Sequence, residues 1–350
     1  MTGRLSVVTG SSGLLGGCLV PLLAARGDRL RLIDIVPADG DPAGDFIQAD
    51  LQDTARVAAA VDGAEVVYHL AAAQRMKPQF ARLSERQIFT MNVRGTENVL
   101  GAAERAGVRK VVVISSSGVY GVPRSVPCRE DHPERPLGAY GESKRVVERL
   151  CREVRARGLD VTVLRPMSLF GPRMTGIFVL LFEWVRRGSP VYMLGDGANR
   201  IQTTSGWDLA RACIRAVDTA ASSGEVLNIG SEPDTVPTVE AQVRTLIAHA
   251  GSHSSLVRIP AALLRNAARA LHAVGLSPIV PEHYILADRT FVLDIERAKA
   301  VLGWRPEVTN VEMMTAAYDW YVRDGAAYRP APHPVLGMLD RLTRAVGTTA

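Results

Sequence analysis

From the N-terminus to about residue 165, short runs of β-branched and aliphatic residues alternate with longer stretches in which apolar positions recur every three or four residues. Six of the short runs read as strands: LSVVT from Leu5, RLRLIDI from Arg29, FIQAD from Phe46, EVVYHLA from Glu65, KVVVISS from Lys110 and DVTVLRP from Asp160. Helical patterns between such runs make βαβ units with parallel strands. Their near-continuous Val, Ile and Leu content predicts burial on both faces. The expected fold class is therefore α/β, a doubly wound parallel sheet.

Beyond Arg165 the pattern loosens. A helix over 178–187, a strand at VYML, a helix following SGWDLARACIRAV and a strand at EVLNIG that returns to the main sheet are predicted. Helices at 238–250, 261–273, 295–301 and 311–321 then make a smaller, mostly helical, substrate-binding lobe. This divides the chain into a dinucleotide-binding domain, 1–172 with 201–230, and a lobe, 173–200 with 231–330. A tail, 331–350, opens on APHPVLG, shows weak helical spacing at Leu336, Leu339 and Leu342, and is expected to decorate the surface.

Composition narrows the class. The 350 residues are 47% hydrophobic and 22% charged, as in ordinary globular proteins. Cys18, Cys128, Cys151 and Cys213 form no C-x-x-C pair, so no zinc site or disulfide framework is signalled. With no export segment after MTGRLSVVTG, a cytoplasmic location is expected. No apolar run reaches the ~20 residues of a membrane-spanning helix. The net charge of +5 comes from scattered arginines, which argues against a nucleic-acid partner.

The first turn, VVTGSSGLLGG, places Gly10, Gly13 and Gly16 between a strand and a helix. Glycines there permit a tight turn, let backbone N–H groups approach a pyrophosphate and let the helix pack on the strand, as in a Rossmann fold. Asp34 ends the second strand, where a carboxylate accepts the adenine-ribose hydroxyls and repels a 2′-phosphate, favouring NAD over NADP. Arg31 falls on the opposite face of that strand. At the end of the fifth strand, SSSGVYG supplies Ser115, Ser116 and Ser117. In AYGESKRVVERL, Tyr140 and Lys144 stand four apart on one helical face. A tyrosine ordinarily titrates near ~10, and a neighbouring ammonium favours its phenolate. Serine, tyrosine and lysine over a nicotinamide make a proton- and hydride-transfer centre.

These motifs together resemble an extended short-chain dehydrogenase/reductase of the NAD-dependent epimerase/dehydratase family. The resemblance adds DL at Asp50, HLAA at His69, MNVRGTENVL around Asn92, RPMSLFGPR, GDGANRIQTTSGWDLA and LGWRP, and spans residues 5 to 322. It implies Ser116, Tyr140 and Lys144 as catalytic residues. It implies a cofactor site of Gly10, Ser12, Gly13, Leu14, Leu15, Asp34, Asp50, Leu51, Leu70, Ala71, Ala72, Asn92, Ser115 and Pro166, together with Tyr140 and Lys144. His69 has a supporting role, no metal is implied, and Trp304 is a packing anchor.

The resemblance further implies a nucleotide-sugar substrate met by Gln74, Ser117, Ser168, Arg173 and Arg200, and a homodimer. Arg200 would contact the diphosphate. Two features depart from the family pattern: Ser168 replaces an asparagine, and VPEHYILADRTF, with Tyr284, stands where an R-P-G-D phosphate motif is usual. Ser117 and Gly118 replace the Asp-Glu pair of the dehydratases, which counts against dehydration. Two readings stay open: an NAD-dependent epimerase, at C4 of a nucleotide-diphosphate sugar, and a dehydrogenase or ketoreductase of a sugar or secondary-metabolite alcohol. The intact Ser116, Tyr140 and Lys144 speak against a third, a non-catalytic cofactor-sensing regulator.

Overall fold

A computed structural model describes residues 3–37, 43–74, 77–171, 174, 177–260, 262 and 285–325. Eleven strands occur among them: β1 (Leu5–Thr9), β2 (Arg29–Asp34), β3 (Asp45–Gln48), β4 (Val66–His69), β5 (Lys110–Ile114), β6 (Val161–Pro166), β7 (Ser168–Phe170), β8 (Val191–Leu194), β9 (Thr203–Ser205), β10 (Val226–Ile229) and β11 (Leu256–Ile259). The helices are α1 (Leu14–Ala25), α2 (Thr54–Val61), α3 (Glu85–Arg105), α4 (Ala139–Ala156), α5 (Ile177–Arg187), α6 (Gly206–Asp218), α7 (Val239–His249), α8 (Glu296–Leu302) and α9 (Asn310–Arg323).

Seven strands form one parallel sheet in the order β10-β6-β5-β4-β1-β2-β3. Alternate residues of each strand fill two different cores, because successive side chains point to opposite faces. Val8, Leu30, Leu32, Tyr68 and Val112 pack with Leu19 and Leu23 of α1 and Leu209 and Cys213 of α6. Val7, Ile33, Val67, Val111 and Val113 pack with residues of α2, α3 and α4. The strand order reverses between β1 and β4. In such sheets the crevice at the carboxyl ends beside that reversal is where ligands bind.

A separate apolar cluster lies outside the sheet. It joins Phe170, Met174, Val179, Phe182, Val185, Val243 and Leu246 to Met313, Ala317, Tyr318 and Tyr321 of α9. Local signals fix the ends of its helices: Thr238 caps α7 by accepting from the Ala241 N–H, and Thr309 with Glu312 closes a capping box on α9.

The EVLNIG run does return to the sheet, as the edge strand beside β6. The pairs β7 with β9 and β8 with β11 account for three strands that hydrophobic patterning did not predict. All but one residue of the helix expected over 261–273, the tail 331–350, Tyr284 and Arg173 lie outside the described residues. All four cysteines are buried as thiols. Among the described residues no helix is long and apolar enough to cross a membrane, and no cluster of potential metal ligands occurs.

Candidate active site

A cavity of about 870 Å³ runs along the carboxyl ends of the sheet strands. Its floor begins at the turn between β1 and α1. Gly10 has φ +73°, and a Cβ there would stand 2.7 Å from the Ala71 nitrogen, so only glycine lets the two loops meet. A Cβ on Gly16 would stand 2.2 Å from the Ser11 carbonyl oxygen, which is the close helix-to-turn packing that the third glycine allows. Helix α1 starts at Gly13 with no capping side chain. Its first N–H groups, at Leu14 and Leu15, therefore meet the cavity at the electropositive end of the helix, a natural seat for a diphosphate.

Asp34 ends β2 with its carboxylate accepting from the Ser12 N–H at 3.0 Å and from the Val36 N–H at 3.0 Å. Each oxygen keeps a lone pair for a ribose hydroxyl. Arg31 is turned away and donates to the carbonyls of Ala60 and Asp62 near the end of α2, so it offers nothing to a 2′-phosphate. Asp50 and Leu51 line the same end, and Leu70, Ala71, Ala72 and Pro166 continue the wall. This glycine cradle, uncapped helix and acidic strand end fit NAD, which is the cofactor of this chain.

Three adjacent serines at the end of β5 go to three different places. Ser115 lines the cavity, and its Oγ donates to Glu148 Oε1 at 2.5 Å, with Glu148 in turn held by Arg165, so this hydroxyl is tied to a buried ion pair. Ser116 Oγ accepts from the Gly118 N–H at 3.0 Å, which leaves its proton to donate. Ser117 Oγ donates to Met167 Sδ at 3.2 Å.

Helix α4 carries Tyr140 and Lys144. Lys144 Nζ donates to the Ile114 carbonyl at 2.7 Å and lies 5.9 Å from the centre of the Tyr140 ring. Burial, and after it the charge of Lys77, lowers the Lys144 pKa to about 8. Tyr140, Ser116 and Lys144 all line the cavity.

Asn92, expected to touch the cofactor, lines the cavity and is also a brace. Its Oδ1 accepts from the Ala73 N–H, and its Nδ2 donates to the Ala73 carbonyl and to Ser143 Oγ. Ser143 Oγ donates to the Tyr140 carbonyl, so the brace reaches the catalytic helix. His69 supports the other side. Thr96 Oγ1 donates to the Asn92 carbonyl, so it accepts from His69 Nε2, and Nδ1 accepts from Thr9 Oγ1. Burial first, and Lys144 second, pushes the imidazole pKa down to about 3, which keeps it neutral in this chain of bonds.

Lys77 was not singled out by sequence. It lines the cavity between two charged ends: burial lowers its pKa, with Asp34 partly opposing that, and its own charge lowers that of Lys144. Its ammonium donates to the Ala72 carbonyl at 3.2 Å. No pattern along the chain marks it, since its place depends on the loop after β4 folding back over the crevice.

Of the expected substrate contacts, Gln74, Ser117 and Ser168 line the cavity. Arg200 does not: its side chain is exposed, and Ile201 lines the cavity in its place. Elsewhere in the cavity the wall is apolar, formed by residues of α5, β8 and α7.

A family model for the NAD dependent epimerase/dehydratase family matches residues 6–230. A UDP-glucose 4-epimerase of Mycolicibacterium smegmatis is 29% identical over 341 residues, covering 90% of this chain and 98% of the relative. A 3 beta-hydroxysteroid dehydrogenase/Delta 5-->4-isomerase of Mycobacterium tuberculosis is 28% identical, covering 90% of each. Among solved structures, MoeE5 in complex with UDP-glucuronic acid and NAD superposes with a TM-score of 0.75 at 28% identity, covering 92% of this chain and 99% of that one.

Proposed function

The chain belongs to the NAD dependent epimerase/dehydratase family, and on that premise we propose that it interconverts a secondary alcohol and the matching ketone, with Tyr140 taking and returning the carbinol proton. One observation carries this reading: Tyr140, Lys144 and Ser116 line the same stretch of cavity as the glycine cradle. Bound NAD supplies the two-electron acceptor that turns a carbinol into a ketone. The Lys144 ammonium, buried near the Tyr140 ring, favours the phenolate that removes the hydroxyl proton. Ser116, with its oxygen already accepting from Gly118, donates its proton to the substrate oxygen and orients it. The uncapped start of α1 and Lys77 hold the cofactor diphosphate, and Asp34 its adenine ribose.

The finer reading is epimerisation at C4 of a nucleotide-diphosphate sugar through a keto intermediate. The likeness to UDP-glucose 4-epimerase and to MoeE5 supports it. A second reading, a dehydrogenase or ketoreductase of a less polar alcohol, is favoured by the apolar wall and by the outward position of Arg200. In either case 173–200 and 231–330 serve as the substrate-binding lobe, a division supported by the separate apolar cluster around α5, α7 and α9. The NAD-loaded protein incubated with UDP-sugars and with apolar secondary alcohols separates them. Product without net NADH selects the epimerase, NADH accumulating with turnover selects the dehydrogenase, and no turnover of any carbinol by the folded, NAD-loaded protein contradicts both.

A further inference from the structure

Resting on that carbinol chemistry, we infer that the substrate carries a bulky apolar body, received by the wall that α5, β8 and α7 build, and not a nucleoside diphosphate. Helix α5, IFVLLFEWVRR, is apolar on two faces. Val179, Phe182 and Val185 are at most 3% exposed and fill the lobe's own core. Phe178, Leu181 and Trp184, also three apart and so on one helical face, are only partly buried and line the cavity. An apolar helix face is expected to be covered. Here the second face meets open cavity, and an apolar ligand is what would cover it. Val239 and Val243 of α7 and Met193 of β8 extend the same surface.

Charge points the same way. Every charged side chain among the described cavity-lining residues comes from the sheet side: Asp34, Asp50, Lys77, Glu85 and Lys144. Of the described arginines of the lobe, Arg186 and Arg187 pair with Glu183, and Arg244 and Arg258 with Glu240. Against the described residues of this wall a diphosphate would lose its water without gaining a cation, which is strongly unfavourable. A phenol hydroxyl interrupts the wall. Tyr192 lines it, and its hydroxyl oxygen is buried without a hydrogen-bond partner among the described residues. Such a group is costly unless a ligand completes it. The substrate thus has a carbinol or ketone at Tyr140, an apolar body along α5, and one polar atom within reach of Tyr192.

The test uses the full chain loaded with NAD. Nile red, a neutral apolar fluorophore, is expected to bind and to be displaced by cyclododecanol, a bulky apolar secondary alcohol, but not by UDP-glucose. Leu181→Asn weakens Nile red at least tenfold. Val257→Asn, on the exposed part of β11 away from the cavity, leaves it unchanged, and melting curves confirm that both variants fold. Calorimetric binding of UDP-glucose that displaces Nile red overturns the inference. So does Nile red affinity that is equal in Leu181→Asn and the unmodified protein. Turnover of UDP-glucose that Tyr140→Phe abolishes would overturn the apolar substrate while leaving the carbinol chemistry standing. Nile red binding at the wall with cyclododecanol turnover indifferent to Tyr140→Phe would support the apolar site and contradict the chemistry.

Discussion

Gly141 is pressed against Gly118 so closely that a Cβ on it would stand 2.7 Å from the Gly118 carbonyl oxygen. The contact seats the first turn of α4 on the serine turn and so sets Tyr140 beside Ser116. Gly141→Ala pushes these two backbones apart. A misplacement of ~1 Å can cost on the order of a hundredfold in rate, so turnover should fall ten- to a hundredfold while NAD affinity changes little. Steady-state kinetics beside an NAD titration checks this, and an unimpaired rate would show that the close approach has no catalytic consequence.

Tyr140→Phe removes the group assigned to the carbinol proton and keeps the ring. Turnover is expected to drop by roughly 10²–10⁴, the range for a positioned acid–base group, with NAD still bound. Lys144→Ala should lower both rate and NAD affinity. A folded Tyr140→Phe protein with full turnover would rule out the assigned role.

The buried ammonium gives stability a pH dependence of known sign. Lys144 titrates at about 8 in the folded chain against 10.5 ordinarily, through burial first and the charge of Lys77 second. Between these values the unfolded chain holds a proton that the folded chain has released, so stability rises with pH across that window. Below about 8 the full cost of the buried charge is present, at most roughly 3 kcal/mol. Urea midpoints of the cofactor-free protein from neutral to alkaline pH should therefore show a rising contribution that Lys144→Met lacks. Lys77→Met should raise the Lys144 pKa and move the window upward. Parallel curves for the unmodified protein and Lys144→Met would contradict this.

Asp34→Asn keeps one oxygen acceptor, for either the Ser12 or the Val36 N–H, and removes the charge. The gap between NAD and NADP affinity is expected to shrink about tenfold, chiefly through tighter NADP, because an anion no longer faces the 2′-phosphate. Fluorescence titrations with both cofactors measure it. Equal affinities in the unmodified protein would show that Asp34 does not select.

What sequence made legible follows physical scale. The sheet strands announce themselves because burial on both faces demands unbroken Val, Ile and Leu. The glycine turn, Asp34, Tyr140 and Lys144 are legible because each chemistry needs one residue type at one spacing. The unpredicted strands β7, β9 and β11 are three or four residues long, too short for a period to show. Arg200 failed for a different reason. Strand side chains alternate, so a one-residue change of register swaps faces. Between turns at Gly195 and Gly197 and the bridge of Ile201 to Phe291, Ile201 takes the inward place. Likewise, three consecutive serines are indistinguishable in sequence, and only packing sends one hydroxyl to Glu148, one to the Gly118 N–H and one to Met167.

The neutral His69 between Thr9 and Thr96 makes the scaffold behind the site deaf to acidity. Its protons have one arrangement from Thr9 through Asn92 to Ser143, and an imidazole at about 3 does not rearrange them when a cell acidifies. Histidine elsewhere is the usual physiological switch, near ~6.5. Here it acts as a rigid spacer, so the rate of this enzyme against acidity follows its phenol, its ammonium and its substrate, with no imidazole inflection from the frame that holds them.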